Sequence, residues 1–509
     1  MNFNFSIGKF RFGLGSEPKP VEKTASRSFG SAGSMNRLNA DWLMPQTNAD
    51  FEIWSGLKIL RGRARELERT NWTIQKYLSL LDNNVLGASG VGLQMKVKDP
   101  SGSLDKLANK TILEAWQKWT KREYCTPSGK YCWREIEGLA LRRAACDGGI
   151  LVRIIRRADN PFSFSVQPLE MDYLDSNYNL GFADGTQIRF GIEFDVWQKP
   201  VAFHMFKAHP GDMWRNQQLR ERIPASDILH IYHSDRPGQS IGVPWLTCVM
   251  QELEHLGKYR EAELVAARLE ACKGYVIEQE VPEEGFSGAT NDAGQSLQEM
   301  TPGMGLKLDP GQKLAQITPT HPNQAFGDFI KSALRGIAGG LSVNYNSLAN
   351  DLESVNYSSM RAGKLEEIEE YKNIQGWLIE SLHEPVFKAW LEMALISGAI
   401  RMPNGSALPL TKFDKFNAPD WKPRRWPWVD PLKDLQASVM AVEKGFKSRR
   451  EIISEMGGDV EEVFLEQSED EQLADNYGLQ FPLGANPQNP PVTNEEEDNT
   501  ETAPPAPAK

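Results

Sequence analysis

His230 and His233, followed by Asp235, come nearest to a metal-ligand set in this 509-residue chain. They sit in DILHIYH, which alternates like a β-strand, and residues i and i+3 of a strand face opposite sides. The two imidazoles therefore diverge, and no shared ion is expected. Glu366, Glu367, Glu369 and Glu370 crowd one helical stretch, a pattern of a wet helix face that singles out no acid–base pair. A phosphate cradle needs G-x-x-x-x-G-K-[ST]. The GK pairs at Gly8, Gly129, Gly257 and Gly363 lack the preceding glycine or the following hydroxyl. G-x-S-x-G and H-E-x-x-H are absent. Gly87, Gly90 and Gly92 have the wrong spacing for a dinucleotide fingerprint and read as a tight turn. The expectation is a protein with no catalytic residue, metal or cofactor, and not the motor that hydrolyses ATP.

What remains is chemistry that could touch nucleic acid. Arg61, Arg63, Arg65 and Arg69 crowd one helical pattern, but Glu66 and Glu68 alternate with them, which favours a solvated face. Lys331 and Arg335 stand one helical turn apart and suit phosphate contacts; pairing with acidic residues of a neighbouring copy, such as Glu261 or Glu263, is the equal alternative. The run from 346 to 358 is rich in amides and hydroxyls (Asn346, Ser347, Asn350, Ser354, Asn356, Ser358), and its only formal charges are Asp351 and Glu353. Such groups make weak, exchangeable contacts with phosphate and water, suited to DNA of any sequence.

Two long helices must position these residues. Over 245–273, Val249, Leu253, Leu256, Tyr259, Ala262, Val265, Leu269 and Cys272 recur in steps of three or four, a continuous helical stripe. Over 324–341, Phe326, Ile330, Leu334, Ile337 and Leu341 repeat it, and Gly339-Gly340 supplies a stop. Between them, 274–322 carries β-like pieces around a Gly/Ser/Asn-rich insertion. A third long helix contains Leu365, Ile368, Tyr371, Ile374, Trp377 and Leu382, with Pro385 inside it. A proline removes one backbone bond and clashes with the preceding turn, so a bend is expected near 381–385. Between 90 and 245 the pattern is mixed: helices over 104–120 and 133–146, then strands ILVRIIRR, FSFSVQPLE, IRFGIEFD, PVAFHMF and DILHIYH. The expected class is α+β, mainly helical.

Composition sets bounds. At 40% hydrophobic residues the chain can bury several cores. A net charge of −11 argues against a static DNA clamp, whose affinity would come from neutralised phosphates. Five cysteines without a CxxC pair read as reduced thiols. Neither a signal peptide nor a membrane span is expected.

HPGD (209–212), RPGQSIGVPW (236–245), LRGIAGGLSVNY (334–345), VNYSSMRAG (355–363), WVDP (428–431) and SRRE (448–451), in this order through most of the chain, resemble the lambda-type portal proteins of tailed bacteriophages. Ile241 departs from the arginine many relatives carry there, and Gln312 from a common acidic residue. The resemblance implies a portal fold: a flexible N-terminal arm (1–50), an α/β wing (51–244), a first stem helix (245–273), a β-containing clip (274–322) and a second stem helix (323–341). A tunnel loop (342–358), a kinked wing helix with a following wing segment (359–430), crown helices (431–477) and a disordered acidic, Pro-rich tail (478–509) complete it. It further implies a ring of about twelve copies at one capsid vertex, conducting double-stranded DNA without sequence preference. Terminase, major capsid or scaffolding protein and head–tail connector proteins would be partners, with assembly in the host cytoplasm and no membrane involved. The alternatives are another ring-shaped virion component, such as a head–tail adaptor, or a nucleic-acid-processing enzyme.

Overall fold

The computed structural model describes residues 4–7, 10–13, 47–213, 219–271, 275–279, 312–316, 326–353, 357–426, 431–456 and 460–478. Most of the expected arm, clip and tail lies outside them. The chain divides into two units, 1–55 and 56–509. In the first, β1 (Asn4–Ile7) and β2 (Phe10–Gly13) pair antiparallel. The division falls within α1 (Ala49–Thr70).

In the second unit Asn71 caps α2 (Trp72–Leu81), its side-chain oxygen accepting the N–H groups of Thr73 and Ile74 at 2.9 and 3.3 Å. A π-helical turn, Asp82–Leu86, and Gly87 then redirect the chain to β3 (Gly92–Met95). Next come α3 (Lys106–Trp119), α4 (Arg122–Cys125) and α5 (Trp133–Asp147). α5 stops at Gly148, whose φ of 80° is the left-handed conformation that ends helices.

Two antiparallel sheets follow. β4 (Ile150–Arg156) pairs with β5 (Phe164–Leu169), as the two apolar runs suggest. β6 (Leu180–Gly181), β7 (Gln187–Arg189), β8 (Ile192–Phe194), β9 (Pro200–Phe206) and β10 (Arg220–Pro224) form a five-stranded meander. β11 (Ile228–Ile231) returns to the other edge of β4, giving the order β11-β4-β5.

Then come α6 (Met250–Ala271), the β12 (Tyr275–Gln279) and β13 (Gln312–Gln316) pair, α7 (Phe326–Gly340), α8 (Tyr345–Ala349) and α9 (Tyr357–Leu378). A second π turn, Ile379–His383, joins α9 to α10 (Glu384–Ile396). α11 (Phe413–Phe416) leads to β14 (Pro419–Lys422), which pairs antiparallel with β3. Three helices end the described chain: α12 (Pro431–Glu443), α13 (Arg449–Glu455) and α14 (Val460–Asn476). The class is α+β and mainly helical.

The expected bend at Pro385 takes a specific form. Proline has no N–H, and its ring would press on the carbonyl four residues back. The helix widens instead, so that Glu384 N–H reaches the Ile379 carbonyl five residues back, and Pro385 falls in the first turn of α10.

The core of this unit is aromatic. Trp116 lies 4.8 Å from Trp119, 5.8 Å from Trp133 and 5.0 Å from Trp390, mostly tilted or edge-on, the arrangement ring quadrupoles favour. Against these rings lies a fully buried acid–imidazole pair, Glu137 on α5 and His383 in the π turn, with Oε1 and Nε2 3.5 Å apart. Burial pushes the Glu137 carboxyl up to about 8 and holds the His383 imidazole down to about 3. At neutral pH both are uncharged.

A second constraint ties the segment entering α6 to the end of α5. Asp147, wholly buried at the end of α5, is gripped by Arg65 Nε at 2.8 Å and by Arg143 Nη1 at 3.3 Å. Arg65 also pairs with Asp172, and Arg61, buried, donates to the Asp147 carbonyl at 2.8 Å. Burial pushes the Arg61 guanidinium down to about 10. Arg61 and Arg65 thus turn inward, unlike the solvated face their alternation with glutamates suggests; Arg63 and Arg69 stay exposed. Just beyond Asp147, the Gly148 backbone meets that of Gly242, where a Cβ would stand 1.8 Å from the Gly148 oxygen. Three residues later Trp245 N–H donates to the Ala145 carbonyl at 3.0 Å. The chain leading into α6 is pinned to the end of α5.

Two outcomes follow. A carboxyl raised in the folded state contributes stability that is present below its unfolded value, near 4.5, and lost as pH rises through about 8. The depressed imidazole acts oppositely, adding stability as pH rises from about 3 to 6.5. The two slopes offset between 4.5 and 6.5, so the pair should weaken the fold by roughly 1.4 kcal/mol per pH unit from 6.5 toward 8. Denaturant titrations across that range should show this decline in wild type and a flatter profile in Glu137→Gln. Gly242→Ala should cost about 3 kcal/mol, because backbone faces the new methyl. Gly62→Ala, in open space on α1, should be neutral or stabilising by up to about 1 kcal/mol in the same measurement.

Candidate functional site

α6 and α7 pack antiparallel as a hairpin. At its root the Gly340 position leaves no room for a side chain: a Cβ would stand 2.6 Å from Val249 Cγ1. Cys248 Sγ donates to the Gly340 carbonyl at 3.1 Å. Leu253 and Leu256 of α6 and Leu334 and Ile337 of α7 are buried together in the core. Farther out, Tyr259 packs on Phe326 at 5.8 Å and on Phe329 at 4.9 Å. Beyond that the cover ends: Leu264 is 58% exposed, Val265 47% and Phe329 52%. Among the described residues, part of the apolar surface of this hairpin is left uncovered.

The segment after α7 is more ordered than its Asn/Ser composition suggests. Asn344 caps α8, accepting Asn346 N–H at 2.9 Å, and Leu348 is buried. Ser347 Oγ donates to Glu367 Oε2 at 3.1 Å. Glu367, itself buried, also accepts from Tyr371 Oη at 2.8 Å and pairs with Lys364 at 3.3 Å. Asn346 and Ser347 are therefore half-buried and engaged with their own chain. Asn350, left-handed at φ 54°, ends the helix and is exposed, as is Ser358 on α9. Ser354 and Asn356 lie outside the described residues.

Lys331 and Arg335 both meet this segment. Lys331 Nζ lies 3.3 Å from Glu353 Oε2 and 3.7 Å from Asp351 Oδ2. The Arg335 guanidinium sits over the Tyr345 ring at 5.3 Å. Tyr345 Oη donates to Asp351 at 2.8 Å. That bond, with Glu353 N–H and Lys331, holds the Asp351 carboxyl below the usual range. Glu353 and Asp351 raise the Lys331 ammonium. The partners of Lys331 thus come from its own chain.

The metal candidates resolve differently. His230 stacks on Tyr232 at 4.3 Å, whereas the exposed His233 bonds Asp235 at 3.3 Å, so the two imidazoles do not converge. Among the described residues, Glu170, Asp172 and His209 bring ligand atoms within 4.8 Å of one another. Sequence spacing could not reveal this group, since His209 lies far along the chain. Arg65 already pairs with Asp172 and lies 3.8 Å from Glu170, so a guanidinium supplies the positive charge there. Against the desolvation that burial imposes, it keeps the Asp172 carboxyl below the usual range. Of the clustered glutamates, Glu367 points inward while Glu366 and Glu369 are exposed.

Among the described residues no helix is long and apolar enough to cross a membrane. Comparison with known proteins converges on one group. Residues 35–375 match the family described as phage portal protein, lambda family. A probable portal protein of Halomonas phage phiHAP-1 is 32% identical, over 95% of this chain and 93% of that protein. Portal protein B of Escherichia phage lambda is 22% identical over 90% of this chain and 91% of that protein. Among solved structures, a chain in the neck of an empty GTA particle covers 78% of this chain and 93% of its own. Its 14% identity and TM-score of 0.42 are too low to transfer detail.

Proposed function

Because the chain belongs to the lambda family of phage portal proteins, we propose that it forms the ring at one vertex of a tailed-phage capsid through which DNA is packaged and later ejected. The observation that carries this reading is the α6–α7 hairpin, rooted on α5 and rimmed by apolar residues that one chain leaves exposed. Neighbouring copies would cover Leu264, Val265 and Phe329, giving a closed ring of about twelve. In that reading α6 and α7 are the stem, residues 274–322 the clip, and α12 to α14 the crown.

The role is structural, and the chain contributes no reaction step. Asn350, Ser354, Asn356 and Ser358 would line the channel, with Asn346 and Ser347 at their base holding α8 against α9. Uncharged amides and hydroxyls release no counterions, so they touch a duplex without holding it. Lys331 and Arg335 on the stem would be the nearby phosphate contacts. The outer surfaces would meet terminase during packaging, head–tail connector proteins afterwards, and the major capsid or scaffolding protein during nucleation of the procapsid in the host cytoplasm.

Electron microscopy of the purified protein should show rings with a central hole; monomers alone at micromolar concentration would count heavily against the proposal. Asn350→Lys places a cationic collar around the duplex. The variant should assemble normally but package DNA several-fold more slowly at low salt, the defect easing as ionic strength rises. Packaging rates across a salt series measure this, and coincident curves for wild type and variant would move the DNA path away from Asn350.

A further inference from the structure

We propose that the stem cations are masked at rest: Asp351 and Glu353 occupy Lys331, and a DNA phosphate must displace them to reach it. The inference rests on the channel-lining reading of residues 350–358 and adds a regulation to it. Lys331 and Arg335 lie one turn apart on α7, and among the described residues Asp351 and Glu353 return two carboxylates to Lys331, so these two cations and two anions balance. The return is built into the backbone. Asn350 takes the left-handed conformation, and Asp351 Oδ1 then accepts Glu353 N–H at 3.0 Å, turning both carboxylates toward the helix. Tyr345 binds Asp351 with its hydroxyl and faces Arg335 with its ring, fixing the second cation in the same arrangement.

The two carboxylates are held differently. Asp351 has three partners, whereas the Glu353 side chain is 81% exposed and meets only the Lys331 ammonium among the described contacts. An exposed pair of this kind is weak and screened by salt, so a phosphate can take the place of Glu353 without breaking a strong bond. A duplex moving past would meet a neutral surface. Where a phosphate comes within reach of Lys331, the carboxylate swings out and the cation changes partner. When the phosphate moves on, Glu353 returns. The exchange leaves no net gain in released counterions, so the duplex is guided without being retained.

The test is binding of a short mixed-sequence duplex to the full-length protein by fluorescence anisotropy across a salt series. Glu353→Gln, alone and with Asp351→Asn, should bind about tenfold more tightly at low salt. The dependence of log K on log salt should steepen by about 0.9 for each cation freed. Adding Lys331→Gln and Arg335→Gln to the double variant should return affinity to the wild-type value. Unchanged affinity and slope in both carboxylate variants would overturn the masking. Asn350→Lys separates the two levels: tighter binding there with no effect of the carboxylate variants sinks masking but keeps the DNA path at this segment. No effect of any variant removes the path, and the masking with it.

Discussion

Asp147 is the fixed point on which the rest of this fold depends. A carboxylate withdrawn entirely from water must be matched by charge and hydrogen bonds, or its burial would cost several kcal/mol. Arg65 and Arg143 supply the match from two different helices, and Arg61 takes the carbonyl of the same residue. Helix α1 and the end of α5 are thereby locked together. The Gly148–Gly242 backbone contact then transmits that lock to the segment entering α6. The long hairpin can project with its far apolar residues uncovered because its near end is held by buried ions and backbone contact, and needs no side-chain cover along its whole length.

The same division between a fixed root and an unfinished rim runs through the molecule. Near the root, Leu253, Leu256, Leu334 and Ile337 join the same core as residues of α2, α5 and α10; past Tyr259 the stripe faces outward. The ring proposed above would give this a physical reason: surface that would be a liability on a monomer is interface in an assembly. The segment after α7 repeats the theme on a smaller scale. Its base is capped and buried through Asn344, Leu348 and Ser347, while Asn350, Leu352 and Glu353 stand in solvent.

Features with a long period or strong composition were legible in the sequence. Helices α6 and α7, the β4–β5 pair and the divergence of His230 from His233 follow from spacing, and Pro385 marks the place where the helix departs from regular α geometry. Arg61 and Arg65 were not legible. Alternating arginines and glutamates mark a wet face unless a buried acid awaits them, and Asp147 is 82 residues from Arg65 in sequence. Helix α8 escaped because five residues hold too little periodicity to rise above an Asn/Ser-rich background, and only the Asn344 cap hints at it. The β3–β14 pair joins residues more than three hundred positions apart, and neither strand has a pattern strong enough to announce the other. For the candidate site, residue types drew attention to the segment after α7, but the intrachain partners of Lys331 depend on a left-handed Asn350 that composition does not reveal.

The π turn at 379–383 also bears on how this chain tolerates change in length. A π turn is an α-helix carrying one additional residue, and here the addition lets Leu382 and His383 both lie inside the core. Removing that residue would leave α9 and α10 in phase, since each already presents its own apolar face inward. Pro385 opposes it, because in the narrower helix its ring would press on the carbonyl four residues back. The additional residue and the proline are thus a linked pair of characters: a relative that lacks one should lack both, and the length of this helix should change only together with its proline.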